Sequence, residues 1–199
     1  FNIALEGFIL TGAFAAVLGS YFSGSPWLGA FAAMAAGIAI GLVFAEFHLR
    51  RGGDAIVVSI AINILAAGLT TYLLRAIFDV MGAFTDPAII GFQPVRIPLL
   101  EEVPVLGRVL SGQSPLVYVA LLAVPAVHIF LARHRLGLRM RAAGENATAL
   151  EAGGVSPRRV RLWALVGCGA FCGLAGAQLS IANVNLFVEN MSAGRGWIA

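Results

Sequence analysis

Lysine is absent from this chain: all 13 basic residues are arginine. A P-loop needs a lysine to reach the nucleotide phosphates, so this chain cannot supply one. If its activity runs on ATP, a separate subunit must bind the nucleotide. Charge of either sign is scarce. Charged residues make up 12% of the 199 positions, against roughly 25% in a typical globular protein. Hydrophobic residues make up 59%, and the mean hydropathy is +0.89. So few charges cannot cover the surface of a soluble domain of this size. The composition excludes a soluble enzyme, a disordered chain, a coiled coil and a nucleic-acid binder. It leaves an all-α, polytopic transmembrane helical bundle.

Cysteine and histidine are also few. Cys168 and Cys172 are four apart in an apolar run, on one face of a helix, and read as small buried side chains rather than a redox pair. Glu46 and His48 are two apart and do not share a face. No metal site is expected from them or from His128 and His134. Paired aspartates, H-E-x-x-H and a Ser/His pair are all missing from the apolar runs, so no catalytic residues are assigned and the chain reads as a non-enzyme. It begins at Phe1 without a basic stretch or cleavage pattern, and is read as a fragment of a longer protein.

Five apolar runs are long enough to cross roughly 30 Å of hydrocarbon: Ile3–Phe22, Trp27–Phe47, Ala55–Leu74, Leu116–Ala132 and Leu162–Ala182. A sixth begins at Trp197. The whole of 1–199 is read as one transmembrane domain, a helical bundle with no internal repeat of fixed period. Residues 75–115 carry Pro87, Pro94, Pro98, Pro104 and Pro115 yet stay apolar. Such spacing forbids a long helix and predicts short helices lying on the membrane surface. Residues 133–161 carry seven arginines against Glu145 and Glu151, a net +5, and the Arg50-Arg51 link is also basic. Basic loops stay in the cytoplasm, so 133–161 is predicted cytoplasmic and 75–115 extracytoplasmic.

Gly37-x-x-x-Gly41 and Gly169-x-x-x-Gly173, followed by Gly176, place small residues at helix-packing spacing. They suit either a dimer interface or tight packing within one subunit. Within 133–161 the pattern predicts a short helix over Ala147–Ala152, stopped by Gly153-Gly154, with Ser156 as N-cap and Pro157 at the first position of the next helix. A short exposed helix is a natural docking knob. A solvated basic loop would have the same composition.

The stretch Arg141-Ala-Ala-Gly144-Glu145-Asn146, followed by Ala149, Gly154 and Val155, resembles the cytoplasmic coupling loop of ABC importer permeases. It is most similar to the branch serving branched-chain amino acids, ribose-type sugars and nucleosides. Asn2-Ile-Ala-Leu-Glu6-Gly7 resembles that branch's N-I-x-L-E-G signature, and Asp54-Ala-Ile-Val-Val with Asn63 its third-helix entry. Asn190-Met-Ser-Ala-Gly194-Arg195-Gly196-Trp197-Ile-Ala resembles its N-M-T-A-G-R-G-F-I-A segment. Together these motifs span nearly the whole chain and are most similar to the nucleoside (guanosine) and simple-sugar uptake permeases. Two positions depart: the glutamate that opens the general pattern falls on Thr148, with Glu151 three residues later, and Gly153 stands where alanine is usual.

The resemblance implies a permease subunit of an ABC importer for nucleosides or related sugars, in a bacterial or archaeal cytoplasmic membrane. It implies coupling through Gly144, Glu145, Asn146, Ala149, Glu151 and Gly154, with Arg139, Arg141, Arg158 and Arg159 anchoring the loop to lipid phosphates or acidic ATPase residues. The implied partners are an ABC ATPase subunit carrying ATP and Mg, a second permease subunit, an extracytoplasmic substrate-binding protein and the bilayer. This chain itself would bind no cofactor, metal or nucleic acid. Asn2, Glu6, Asn63 and Asn183 are candidate pathway residues. For Glu6, a place at the helix end among headgroups is the alternative, an ambiguity that Asn2 and Asn63 share; for Asn183, plain loop polarity. A permease for branched-chain amino acids and a secondary transporter driven by an ion gradient are the alternative functions.

Overall fold

The computed structural model describes residues 3–95 and 111–198. Asn2, Pro98 and Pro104 lie outside the described residues. Helices α1 (Leu5–Ser23), α2 (Pro26–Ala45) and α3 (Ala55–Phe78) are followed by α4 (Pro115–Arg133). Next come α5 (Arg135–Glu145), α6 (Ala147–Ala152), α7 (Pro157–Ala177) and α8 (Arg195–Ile198). Single π-helical turns, Glu46–Arg50 and Gln178–Ala182, extend α2 and α7. Strands β1 (Ala83–Phe84) and β2 (Phe187–Val188) pair antiparallel, Phe84 opposite Phe187.

Five of these helices are long and apolar enough to cross a membrane: α1, α2 through Arg50, α3, α4, and α7 through Ala182. The five apolar runs of the sequence are therefore five helices. α3 runs four residues past Leu74, and α7 starts at Pro157, five before Leu162. Proline at the first position of α2, α4 and α7 gives up an amide that has no intrahelical partner anyway.

α1 is apolar on all sides and is the centre of the bundle. Two-thirds of its span is buried, against 6% of α4, which stands at the periphery. α1, α2 and α7 are held together by glycine. A Cβ on Gly169 would lie 2.5 Å from the Gly37 carbonyl oxygen, and one on Gly12 2.7 Å from the Gly173 Cα. Backbone thus meets backbone where α2 and α1 cross α7. In lipid, where apolar burial drives little, such close van der Waals contact is what binds helices. The glycine spacings accordingly serve packing within the chain.

Residues 79–95, the described part of the segment after α3, differ from the surface helices predicted for 75–115; 96–110 lie outside the described residues. Asp79 (φ 54°) ends α3 and Gly82 (φ 83°) turns the chain. Residues 83–95 then run as a two-residue strand, turns and extended backbone. Pro87 and Pro94 bar helix here, and Phe84, Ile89 and Phe92 are buried against the bundle rather than laid on lipid. The Ser20 hydroxyl donates to the Ile90 carbonyl at 2.7 Å, and the Phe92 amide to the Ile181 carbonyl at 3.2 Å. Phe78 stacks on Phe84 with centroids 3.8 Å apart, and Phe14 meets Phe187 edge-on at 5.2 Å.

Gly169→Ile tests the glycine contact. Overpacking a tight site costs about 1–3 kcal/mol or more, so the variant of the full-length protein should lose monodispersity at a lower temperature in detergent. An unchanged thermal midpoint would remove the close approach of α2 and α7 from this account.

Candidate functional site

The connector 133–161 is built from capped helices. α4 ends at Arg133, and His134 turns the chain: its amide donates to the Phe130 carbonyl at 3.0 Å, and its Nδ1 accepts from the Leu136 amide at 3.3 Å. The His134 ring stacks on Phe130. α5 lays Gly137 and Ala143 inward and keeps Arg139 and Arg141 exposed. Asn146 closes one helix and opens the next. Its amide donates to the Ala142 carbonyl at 2.8 Å, and its Oδ1 accepts from the Ala149 amide at 3.0 Å, capping α6.

α6 covers Ala147–Ala152, the helix predicted from composition, and none of its residues is buried. Its end is a Schellman stop. The Val155 amide donates to the Leu150 carbonyl at 3.2 Å, and the Gly154 amide to the Glu151 carbonyl at 2.8 Å. Gly154 has φ 74°, a left-handed conformation that side chains with a Cβ resist. Ser156 holds the N-cap position of α7, yet its side chain makes no capping hydrogen bond.

The contact that ties the connector to the bundle is one that sequence reading missed. Arg161, four residues into α7, donates from Nη2 to the Ala143 carbonyl at 3.2 Å, satisfying an end carbonyl of α5. Arg139, Arg141, Arg158 and Arg159 are exposed and make no ion pair among the described residues. Gly144, Glu145, Ala149 and Glu151 are exposed as well. In sequence Arg161 differs from its neighbours in nothing but position; the signal is the need of α5's last turn for a donor.

The second constellation lies at the start of α1. Asn63 is eight residues past the first residue of α3, so α1 begins about 12 Å along α3. The first amides of a helix have no intrahelical acceptor, and Gly7, buried in the bundle, must find one within the protein. Asn63 does: its Oδ1 accepts from the Gly7 amide at 2.9 Å, and its Nδ2 donates to the Ile3 carbonyl at 3.1 Å. Glu6, 8% exposed, faces the other way. Its Oε1 accepts from the Gly194 amide at 2.8 Å and its Oε2 from the Gly196 amide at 2.7 Å. The carboxylate thus binds the turn that opens α8, and Gly196 lies against the Glu6 backbone where no Cβ would fit.

Glu6 and Asn63 therefore both act at the first turn of α1, each hydrogen-bonded to different backbone. Asn183 lies apart, exposed just past the span of α7. Its Oδ1 accepts from the Gln178 amide group at 3.0 Å, and Gln178 Oε1 accepts from the Ser114 hydroxyl at 2.8 Å. The part of Gly194 and Gly196 had a readable signal. Ala4-Leu-Glu6-Gly7-Phe8-Ile9 and Ala193-Gly-Arg195-Gly196-Trp197-Ile198 share alanine, a charge, glycine, an aromatic residue and isoleucine in register. Each opens a helix, and the two openings touch.

Glu6→Ala removes both acceptors. Hydrogen bonds to a charged group contribute about 1.5–3 kcal/mol, so the 190–196 turn should open more often. A single cysteine replacing buried Ser192, with Cys168 and Cys172 changed to alanine, should then react with maleimide about tenfold faster or more than in the Glu6 background. Equal rates would mean that the carboxylate does not hold this turn.

The family profile described as branched-chain amino acid transport system / permease component matches residues 1–199. The chain is 33% identical to a provisionally named glucose ABC transporter permease of Haloferax volcanii, over all of this chain and 59% of that protein. It is 33% identical to a guanosine ABC transporter permease of Bacillus subtilis and 29% to a nucleoside ABC transporter permease of Lactococcus lactis. Each of these two matches covers all of this chain and 64% of the relative. The chain thus spans about three-fifths of the length of the curated relatives it matches. No solved structure gives a significant match.

Proposed function

The chain belongs to the permease-component family of branched-chain amino acid transport systems, and from that premise we propose that it forms part of the membrane-spanning permease of an ABC importer for nucleosides or related simple sugars. Its five apolar helices and its family make it part of a multi-pass integral membrane protein. The observation that carries the coupling role is α6, a helix with no buried residue, clamped at both ends by Asn146 and the Gly154 stop. A partner that grips α6 pulls on α5 and α7 through the hydrogen-bonded corner at Asn146 and the short 153–156 link.

In this reading residues 133–161 face the cytoplasm, as their net +5 favours, and 75–115 faces out. α6 docks on a separate ATPase subunit, which binds ATP and Mg. A second permease chain completes the pathway, and an extracytoplasmic binding protein delivers the substrate. Residues 1–199 act as one permeation domain. Glu6 and Asn63 serve it by fixing where α1 starts inside the membrane; Asn183, with Gln178 and Ser114, supplies exposed hydrogen-bonding groups toward the outer end. The substrate class rests on the names of the relatives, two of which specify guanosine or nucleosides and one glucose.

The test is uptake of labelled guanosine by cells with and without the full-length gene, with unlabelled ribose and leucine as competitors and ATP depleted in parallel. Gene-dependent, ATP-dependent uptake blocked by nucleosides alone is expected. Block by leucine would make the cargo a branched-chain amino acid, and uptake lost with the proton gradient but not with ATP would make the protein a secondary transporter. Gly154→Val should abolish substrate-stimulated ATP hydrolysis while the permease still inserts, because valine disfavours φ 74°. Wild-type stimulation in that variant would remove α6 from the coupling path.

A further inference from the structure

A groove of about 570 Å³ lies between the last turns of α2 and the first turns of α7. Its apolar lining is Leu42, Leu49 and Leu162, and its basic lining is Arg50, Arg158 and Arg159. Leu42 sits about two turns deeper along α2 than Arg50, and Leu162 about one turn deeper along α7 than Arg158 and Arg159. Charge therefore rims the groove at the ends of two spanning helices, and leucine continues it toward the hydrocarbon.

The π-turn shapes the rim. It brings both Arg50 and Arg51 onto one carboxylate: Glu46 Oε2 lies 3.2 Å from Arg50 and Oε1 3.4 Å from Arg51. Glu46, the acidic residue of the groove, is thereby spent on its own helix. Arg158 and Arg159 face it from α7 with no carboxylate partner among the described residues. π-turns inside α-helices mark functional sites more often than chance.

We propose that this groove binds an anionic phospholipid, with its phosphate between Arg50 and the Arg158–Arg159 pair and an acyl chain along Leu42 and Leu162. Basic pockets between spanning helices at the cytoplasmic surface suit such headgroups. An acidic protein segment would satisfy the arginines but leave the leucines without an apolar partner. Free phosphate would leave them in water. Bridged by a lipid phosphate, the end of α2 and the base of α7 become one unit, directly below the Val155–Pro157 link that carries α6. The proposal goes beyond the transport reading and is independent of the cargo.

The experiment is native mass spectrometry of the full-length permease released from nanodiscs containing phosphatidylglycerol and phosphatidylcholine. Wild type should retain phosphatidylglycerol selectively. Arg158→Gln/Arg159→Gln should weaken its retention about tenfold or more, and Arg158→Lys/Arg159→Lys, which keeps the charge, should retain most of it. Arg133→Gln/Arg135→Gln, elsewhere on the connector, should behave as wild type. Monodisperse gel filtration of each variant excludes misfolding as the cause. Retention unchanged in the glutamine pair, an equal loss in the Arg133/Arg135 pair, or displacement of the lipid by millimolar inorganic phosphate would each overturn the site. Because the readout is lipid binding, its failure leaves the transport reading untouched, and failed uptake leaves this site untouched.

Discussion

A helix whose first turn is buried must find partners for its leading amides inside the protein. Everything around α1 follows from that constraint. Asn63 reaches across from α3 to take the Gly7 amide, which ties the depth of α1 to α3. Glu6 then takes two amides from the turn before α8, which ties that turn to α1. A polar side chain buried in an apolar bundle is costly unless it is hydrogen-bonded, and Glu6 is 8% exposed. Here both its oxygens are engaged, and one side chain serves two helix openings at once.

The glycines answer a second demand. Three helices cross near Gly12, Gly37, Gly169 and Gly173 with backbone against backbone. That contact leaves little room for side chains, so the core of this bundle is divided. Phe14, Leu74, Phe84 and Phe187 pack on one side and Phe8, Ile40 and Phe44 on the other.

The spans were legible in the sequence because each is a long, nearly uncharged run, and α6 was legible because asparagine, a short alanine-rich stretch and two glycines encode its start and stop. The segment after α3 was not. Its apolar residues carry no periodicity that separates packing onto a membrane surface from folding back over the helix ends, and Phe84, Ile89 and Phe92 do the latter. Glu6 and Asn63 were visible as polar residues in apolar runs, but their partners are backbone amides, which leave no trace in composition. Arg161 was hidden among seven arginines, since what distinguishes it is the orphan carbonyl at Ala143.

The joint at Asn146 has a mechanical meaning. α5, the corner and α6 link the bundle to whatever grips α6. Asn146 is closed on both sides by hydrogen bonds, and the Gly154 stop by two. The 3.2 Å contact from Arg161 to Ala143 is a single bond at a partly open site. That guanidinium is a cross-brace: it joins α5 to α7 directly, while the backbone of 153–156 joins α6 to α7, so the connector closes into a loop rather than hanging as an open arm.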